Sequence, residues 1–410
     1  MMRELYRMSS RWLYILAVVV FPLLSILFFG SLFREGVPSD MPIAVVDLDQ
    51  TATSRKIVRN IDITQLSKVA MILPTEAEAM SQMRSGKIYG FVVIPKNLQA
   101  DIMASRQAVV SYYYHNSLLI PGGLMQSNLT SILHTVSAGI TIQKREAMGQ
   151  EHEAIMARVQ PIMLDMHQLF NPTSNYSVYL STIILPIMMQ IFILLITVYS
   201  IGVEIKERTS HQWLRLSNKS MFVALTGKLL PYTIIFLILM MFQNFMLYKV
   251  IQVPMQTSIG WLTLSSLLFV LAYQAIGIFA IGLLPTLRHA LNLTAFYAVL
   301  ALSLCGFTFP VDAMSPVFQF WAAGFPVRHY MHIFHSQVLA GFELKYALPG
   351  YFALLAFLLL PLLTLVRLKS ALIFQNFIEE VNSVPAVLRK RSGKLISSPD
   401  DRISQSTTTE

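Results

Sequence analysis

From Val178 to Gly202 the chain runs twenty-five residues without an acidic, basic or histidine side chain. As a helix rising about 1.5 Å per residue, that run is longer than the roughly 30 Å hydrocarbon core of a bilayer. Backbone at that depth must satisfy its own hydrogen bonds, so the stretch is forced toward a helix. Comparable apolar runs lie at Trp12–Leu32 and near Leu229–Tyr248, Gly260–Leu284, Leu291–Phe309 and Tyr346–Leu368. Composition agrees: 54% of residues are hydrophobic and 13% charged, against about 25% charged in ordinary globular chains. A soluble enzyme is excluded. The sequence reads as an α-helical polytopic membrane protein of six spans, with an α/β domain inserted after the first.

Charge sets the expected orientation. The formal net charge is +9, and the excess sits at Arg3, Arg7 and Arg11, in the loop ending at Lys228, at Arg288, and from Arg367 to Lys394. Short Lys- and Arg-rich loops stay cytoplasmic. Both termini are therefore expected inside the cell and residues 34–175 outside, in a bacterial cytoplasmic (inner) membrane. Residues 1–11 are expected to form an interfacial helix with Arg3 and Arg7 on one face. The first span, 12–33, is too long for a cleavable signal core and reads as a retained anchor.

Residues 34–175 alternate strand and helix patterns. MPIAVVDLD, YGFVVIP and AVVSYYYHN read as strands, and Ser54–Ile61, TEAEAMSQMRSG and KNLQADIMAS as helices. Thr75 with Glu78 three residues on suggests a capping box. From Leu119 to about Met166 a helical stalk is expected. A five-span membrane domain follows over 176–375, with a cytoplasmic loop at 203–228. Segment 307–337 is broken by Pro310, Pro316 and Pro326, so it is expected to be an outer, re-entrant piece buried against protein. Residues 376–410 have the low hydrophobicity of a disordered tail.

Little in the sequence points to chemistry on this chain. Gly86-Lys87, Gly227-Lys228 and Gly393-Lys394 lack both the upstream glycine and the following Ser or Thr of a nucleotide-binding loop. ATP and its Mg²⁺, if used, belong on a separate chain, and no cofactor is expected here. His329, His332 and His335 recur at helical spacing but have no nearby Cys or carboxylate to complete a metal site, so no metal is expected. Asp47 and Asp49 read as turn and helix caps. Cys305, the single cysteine, reads as a packed small residue and excludes an intrachain disulfide. Gln190, Gln243, Asn244 and Gln274 lie at membrane depth and either bridge helices or line a polar pathway. No charge falls near the middle of a span, which disfavours an ion-coupled carrier and favours an apolar or amphipathic substrate.

The stretch IGVEIKERTSHQWL places Glu204, Lys206, Glu207 and Arg208 directly after the second span, with Trp213, Leu214 and Leu216 as apolar neighbours. The plain reading is a solvated connector. Taken in order, RELYRMSSRWLYILAVVVFPLLSILFFG, IAVVDLDQTATSRKIV, MRSGKIYGFVVIPKNL, IGVEIKERTSHQWL with TGKLLPY, and CGFTFPVDAMSPVFQFWAAGFPVRHY resemble the permeases of type-2 ATP-binding-cassette (ABC-2) transporters with a large domain between spans one and two. Thr209-Ser210 stands where many of these carry Gly-Thr. The resemblance, covering about 1–375, implies a dimer, homo- or heteromeric, each permease bound by a cytoplasmic ATPase. It makes residues 1–11 the elbow helix. It also implies that the loop after span two receives force from the ATPase, through Glu204, Lys206, Glu207, Arg208, Trp213 and Leu216. The function so implied is export of an amphipathic or hydrophobic substrate out of the cytoplasm or inner leaflet. The outer domain then either meets a periplasmic adaptor or outer-membrane tunnel, or shapes the exit route or holds the dimer together. No nucleic-acid partner is expected. The other reading of the residues is a membrane-anchored scaffold or receptor whose outer domain binds a partner.

Overall fold

The computed structural model describes residues 1–33, 38–104, 106–115, 119–147, 175–307 and 309–374. The expected tail and the part of the stalk beyond Ala147 lie outside the described residues. The chain divides into two compact units, Phe33–Tyr179 and the remainder.

The membrane unit begins with α1 (Met2–Ser10), then α2 (Trp12–Leu32), which contains one π-helical stretch at Leu16–Val20. After the inserted domain come α7 (Tyr176–Lys206), the short α8 (Ser210–Leu216), α9 (Met221–Lys249), α10 (Ile259–Leu283) and α11 (Leu287–Leu304). Next are α12 (Pro316–Ala323), α13 (Pro326–Ile333), and the pair α14 (Leu344–Phe357) and α15 (Leu360–Phe374). Six of these helical segments are long and apolar enough to cross a membrane, the last being Leu344–Phe374. α7 and α10 are the enclosed ones, with 72% of their apolar windows buried, against 22% for the first, fifth and sixth spans. The membrane unit is therefore built around α7 and α10.

Small residues let these central helices approach. A Cβ at Gly277 of α10 would lie 2.8 Å from Thr197 Cγ2 on α7, and one at Gly282 would lie 2.5 Å from Thr364 Oγ1 on α15. Without a hydrophobic drive between helices in lipid, such close packing holds them together. The broken segment forms a short 3₁₀ turn at Val311–Ala313, then α12 and α13, with Pro316 and Pro326 opening the two helices where a missing N–H costs nothing. α13 is packed inside. The Tyr330 ring meets Phe269 of α10 at a tilt of 51° with centroids 4.7 Å apart, and the Val327 N–H donates to the Tyr273 hydroxyl at 3.0 Å.

The inserted unit is a four-stranded mixed sheet in the order β2-β1-β3-β4, from β1 (Met41–Asp47), β2 (Ser67–Ile72), β3 (Gly90–Ile94) and β4 (Ser111–Tyr114). β1 pairs parallel with β2 and β3, and β3 pairs antiparallel with β4. β1 is buried on both faces, which is why it reads as a continuous apolar run. One face (Met41, Ile43, Val45, Val92) packs on α3 (Ala52–Asp62), α5 (Leu98–Met103) and α6 (Leu119–Ala147). The other (Ala44, Val46, Phe91) packs on Ala79 of α4 (Glu76–Arg84).

Two details differ from the sequence reading. β2 was not expected; it is an edge strand whose exposed face carries Ala70 and Ile72 beside Lys68, so residues 69–73 read as a short unbroken apolar run without the alternation of a half-buried strand. The capping box is at Thr51 and Ser54, whereas Thr75 only accepts from the Glu78 N–H. Asp47 and Asp49 do cap: Asp47 Oδ1 accepts from the Asp49 and Gln50 N–H groups, and Asp49 Oδ2 accepts from the Gln99 N–H at the start of α5.

Gly277→Ala is expected to lower the stability of the full chain by about 1–3 kcal/mol through overpacking against Thr197. Gly139→Ala in α6, where a Cβ meets nothing within 4 Å, is expected to be neutral or stabilising by about 0.5–1 kcal/mol. Paired unfolding curves in one detergent check both.

Candidate functional site

α1 is amphipathic, and it turns charge inward. Glu4 is 3% exposed, and Arg3 and Arg7, one helical turn apart, point the same way. At the end of α7 the Glu204 side chain is fully buried, and at the start of α9 so is Lys228. These elements meet at one cluster. Arg3 Nη2 donates to both Glu204 oxygens at 2.8 and 2.7 Å, Arg7 Nη1 donates to Oε1 at 2.7 Å, and Lys228 Nζ reaches the same oxygen at 2.8 Å. Lys228 also donates to Glu4 Oε1 at 2.6 Å, and the Tyr232 hydroxyl donates to Glu4 Oε2 at 3.4 Å. At the rim, Glu207 accepts from Arg7 and, at 2.8 Å, from Arg11.

The cluster thus joins α1, α7 and α9 through residues about 200 positions apart. Four bases face three carboxylates, and Arg3 Nη1 is buried with no hydrogen-bond partner among the described residues. Burial lowers the Arg7 guanidinium's affinity for its proton, but the Glu204, Glu4 and Glu207 carboxylates outweigh it and raise its pKa. Burial raises the Glu207 carboxyl, yet the Arg11 hydrogen bond and the charges of Arg7 and Arg11 carry it below its ordinary value of 4.5. The contact is an ion-pair network shared by the three helices.

The turn after α7 is shaped to serve it. The Thr209 N–H bonds the Glu204 carbonyl at 3.0 Å and the Arg208 N–H bonds the Ile205 carbonyl at 3.2 Å, the two bonds of a Schellman motif. Arg208 occupies its left-handed position, φ 57°, where glycine is the usual residue. The Thr209 hydroxyl then donates to Glu204 Oε2. The residue that replaces the family's glycine therefore holds the central carboxylate, and the left-handed residue is the one before it.

The sequence-singled residues separate into two sets. Glu204 and Trp213 face inward: Lys228 Nζ lies 5.1 Å from the Trp213 ring centroid, and the Trp213 Nε1–H donates to the Ala224 carbonyl at 3.3 Å. Lys206, Arg208 and Leu216 face outward, Leu216 being 75% exposed. Glu207 is partly exposed between them. Sequence reasoning did not assign Glu4, Lys228 or Tyr232 a role, and the expected start of the third span at Leu229 left Lys228 in the loop. The structure places Lys228 and Glu204 on membrane helices, at their ends. The one available signal was a Lys inside TGKLLPY, seven residues into a helix that opens at Met221.

Of the four polar residues at depth, three bridge helices. Gln190 Oε1 accepts from the Tyr273 hydroxyl, Asn244 Nδ2 donates to Ser266 Oγ at 3.2 Å, and Gln274 Oε1 accepts from Thr233 Oγ1 at 2.8 Å. Gln243 is fully buried with neither amide atom partnered among the described residues. Among the described residues no three His, Cys, Asp or Glu side chains are placed to hold a metal.

A family model described as "ABC-2 family transporter protein" matches residues 11–367. The chain belongs to the ABC-2 transporter family. It is similar to the "Probable multidrug ABC transporter permease YbhS" of Escherichia coli strain K12, 24% identical over 349 residues, or 83% of this chain and 86% of that protein. The protein of the same name from E. coli O157:H7 matches equally. The chain is thus a multi-pass membrane subunit of an ABC transporter. Membership implies an ATPase subunit and a second permease as its partners, and the ion cluster lies on α1 and at the ends of α7 and α9.

Arg208→Gly is expected to raise stability by about 0.5–1 kcal/mol, because relief of left-handed strain exceeds the added unfolded-state entropy. Arg208→Ala keeps the strain and is expected to give no gain. A thermal unfolding series on the three proteins checks the difference.

Proposed function

We propose that this permease exports an amphipathic or hydrophobic substrate out of the cytoplasm or inner leaflet of a bacterial inner membrane, driven by ATP hydrolysis on a separate subunit. The termini and the α7–α9 loop lie on the cytoplasmic side. The observation that carries the reading is the convergence of α1, α7 and α9 on Glu204. A push on the loop or on the elbow reaches two spans at once, through ion pairs too costly to break singly. The similarity to the E. coli "Probable multidrug ABC transporter permease YbhS" supports an amphipathic or hydrophobic cargo.

In this reading the loop has an outer and an inner layer. Lys206, Arg208 and Leu216, with His211, Arg215 and Lys219 beside them, face outward and dock the ATPase. That face is basic around one exposed apolar side chain, so it fits an acidic surface with a recess for Leu216. Glu204, Glu207 and Trp213 act behind it, transmitting the load to α1 and α9. Within the spans, Gln190, Asn244 and Gln274 hold helices together, and Gln243 is the pathway candidate because no group among the described residues bonds its amide.

The test is co-purification with the ATPase and drug-stimulated ATP turnover in the assembled transporter. Leu216→Asp with Arg208→Glu is expected to weaken assembly about tenfold or more, as loss of an interface anchor does. The isolated permease should melt as before, because both positions are exposed. An intact complex with unchanged turnover contradicts the docking face.

A further inference from the structure

Where α9, α10 and α13 meet, the membrane unit buries more hydrogen-bonding capacity than it uses. Asn244 Nδ2 donates to Ser266 Oγ at 3.2 Å, which leaves Asn244 Oδ1 with no partner among the described residues. The Tyr330 hydroxyl sits beside Ser266 and Asn244, yet it bonds no described group. Gln243, one position earlier on α9, has both amide atoms unbonded among the described residues. Gln243, Asn244, Ser266 and Tyr330 are each at most 1% exposed. A buried polar atom without a partner is destabilising, and folded proteins keep few of them. Their concentration at one helix junction points to a ligand.

The surroundings are apolar and uncharged. Met240 and Leu247 lie one turn from Asn244 and Gln243 on α9, and Phe269 of α10 packs on the Tyr330 ring. α10 carries no Asp, Glu, Lys, Arg or His. The charged residues of α9 are engaged elsewhere, Lys228 with Glu4 and Glu204, and Lys249 over the Tyr248 ring. On α13, Arg328 and His329 bond the Gln319 and Ala323 carbonyls of α12, and His332 is exposed. A neutral group that both donates and accepts fits this setting. A carboxylate or an ammonium does not, because nothing there offsets its dehydration.

We infer that Gln243, Asn244 and Tyr330 bind an uncharged hydrogen-bonding group, a hydroxyl or an amide, on an otherwise apolar cargo. That the ligand is cargo rests on the export reading; that the site takes a neutral polar head does not.

The test uses the full chain in phosphatidylcholine nanodiscs. Four photoprobes share one diazirine-bearing alkyl chain and end in a primary amide, a hydroxyl, a carboxylate or a methyl group. Label is mapped by mass spectrometry and normalised to Ile238 and Phe245, which are exposed on the same helix. The amide and hydroxyl probes are expected on Met240, Leu247 and Phe269 about tenfold above the other two, as one or two hydrogen bonds allow. Tyr330→Phe and Gln243→Met each remove atoms that hold nothing among the described residues. The melting temperature is therefore expected to stay or rise in both, while amide and hydroxyl labelling falls about tenfold. Unchanged labelling in both variants, or equal labelling by all four probes, overturns the inference. The assay needs neither ATP nor the ATPase. A permease that fails to export can still show the expected labelling, and one that exports while all four probes label equally overturns this inference alone.

Discussion

The Glu204 carboxylate is the constraint on which the packing of α1, α7 and α9 depends. A fully buried carboxylate loses its hydration, at an effective cost of several kcal/mol. Here Arg3, Arg7, Lys228 and Thr209 replace that hydration with hydrogen bonds. None of these partners comes from the charge-free part of a span. They arrive on an amphipathic helix at the chain's start, on the first turns of α9, and in the turn that ends α7. Each element has its position because the others have theirs. Buried pairs of this kind contribute little net stability over an apolar substitute, but removing one member is strongly destabilising. The cluster therefore acts more as a lock than as a glue.

Elsewhere the two units are held by different physics. α7, α10 and α15 approach through Gly277 and Gly282, and their polar side chains pair off across helices. The inserted unit has a core of its own on both faces of the sheet and needs no disulfide, consistent with the single cysteine, Cys305.

Legibility in the sequence followed the range of the interaction. The spans were readable because exclusion of charge from a helix is local, and β1 and β3 because doubly buried strands are continuously apolar. β2 was not, since the apolar run 69–73 is too short to tell strand from helix and has no alternation. The caps at Asp47 and Asp49 were legible because each acts within a few residues. The ion cluster was not, because Arg3 and Arg7 lie 201 and 197 positions from Glu204, Glu4 lies 224 from Lys228, and even Glu204 and Lys228 are 24 apart, so no local pattern records the pairing. Arg3, Arg7, Glu204 and Lys228 are each visible in the sequence as charges flanking spans, with Arg3 and Arg7 read as one face of an interfacial helix and Glu204 as a contact for the ATPase. Only the fold shows that they face inward. Likewise the absent glycine near Thr209 reads as a defect until Arg208 is seen in the left-handed position and Thr209 on the carboxylate.

The most direct measurement is a double-mutant cycle on unfolding free energy with Glu204→Gln and Lys228→Met in the full chain. Each single substitution leaves buried charges uncompensated and is expected to cost about 3–5 kcal/mol. The double variant is expected to cost about 1–3 kcal/mol less than the sum of the singles, as coupled neighbours do. Additivity within about 0.5 kcal/mol, or single losses no larger than that of Glu343→Gln in the exposed Lys345–Glu343 pair, would contradict the lock.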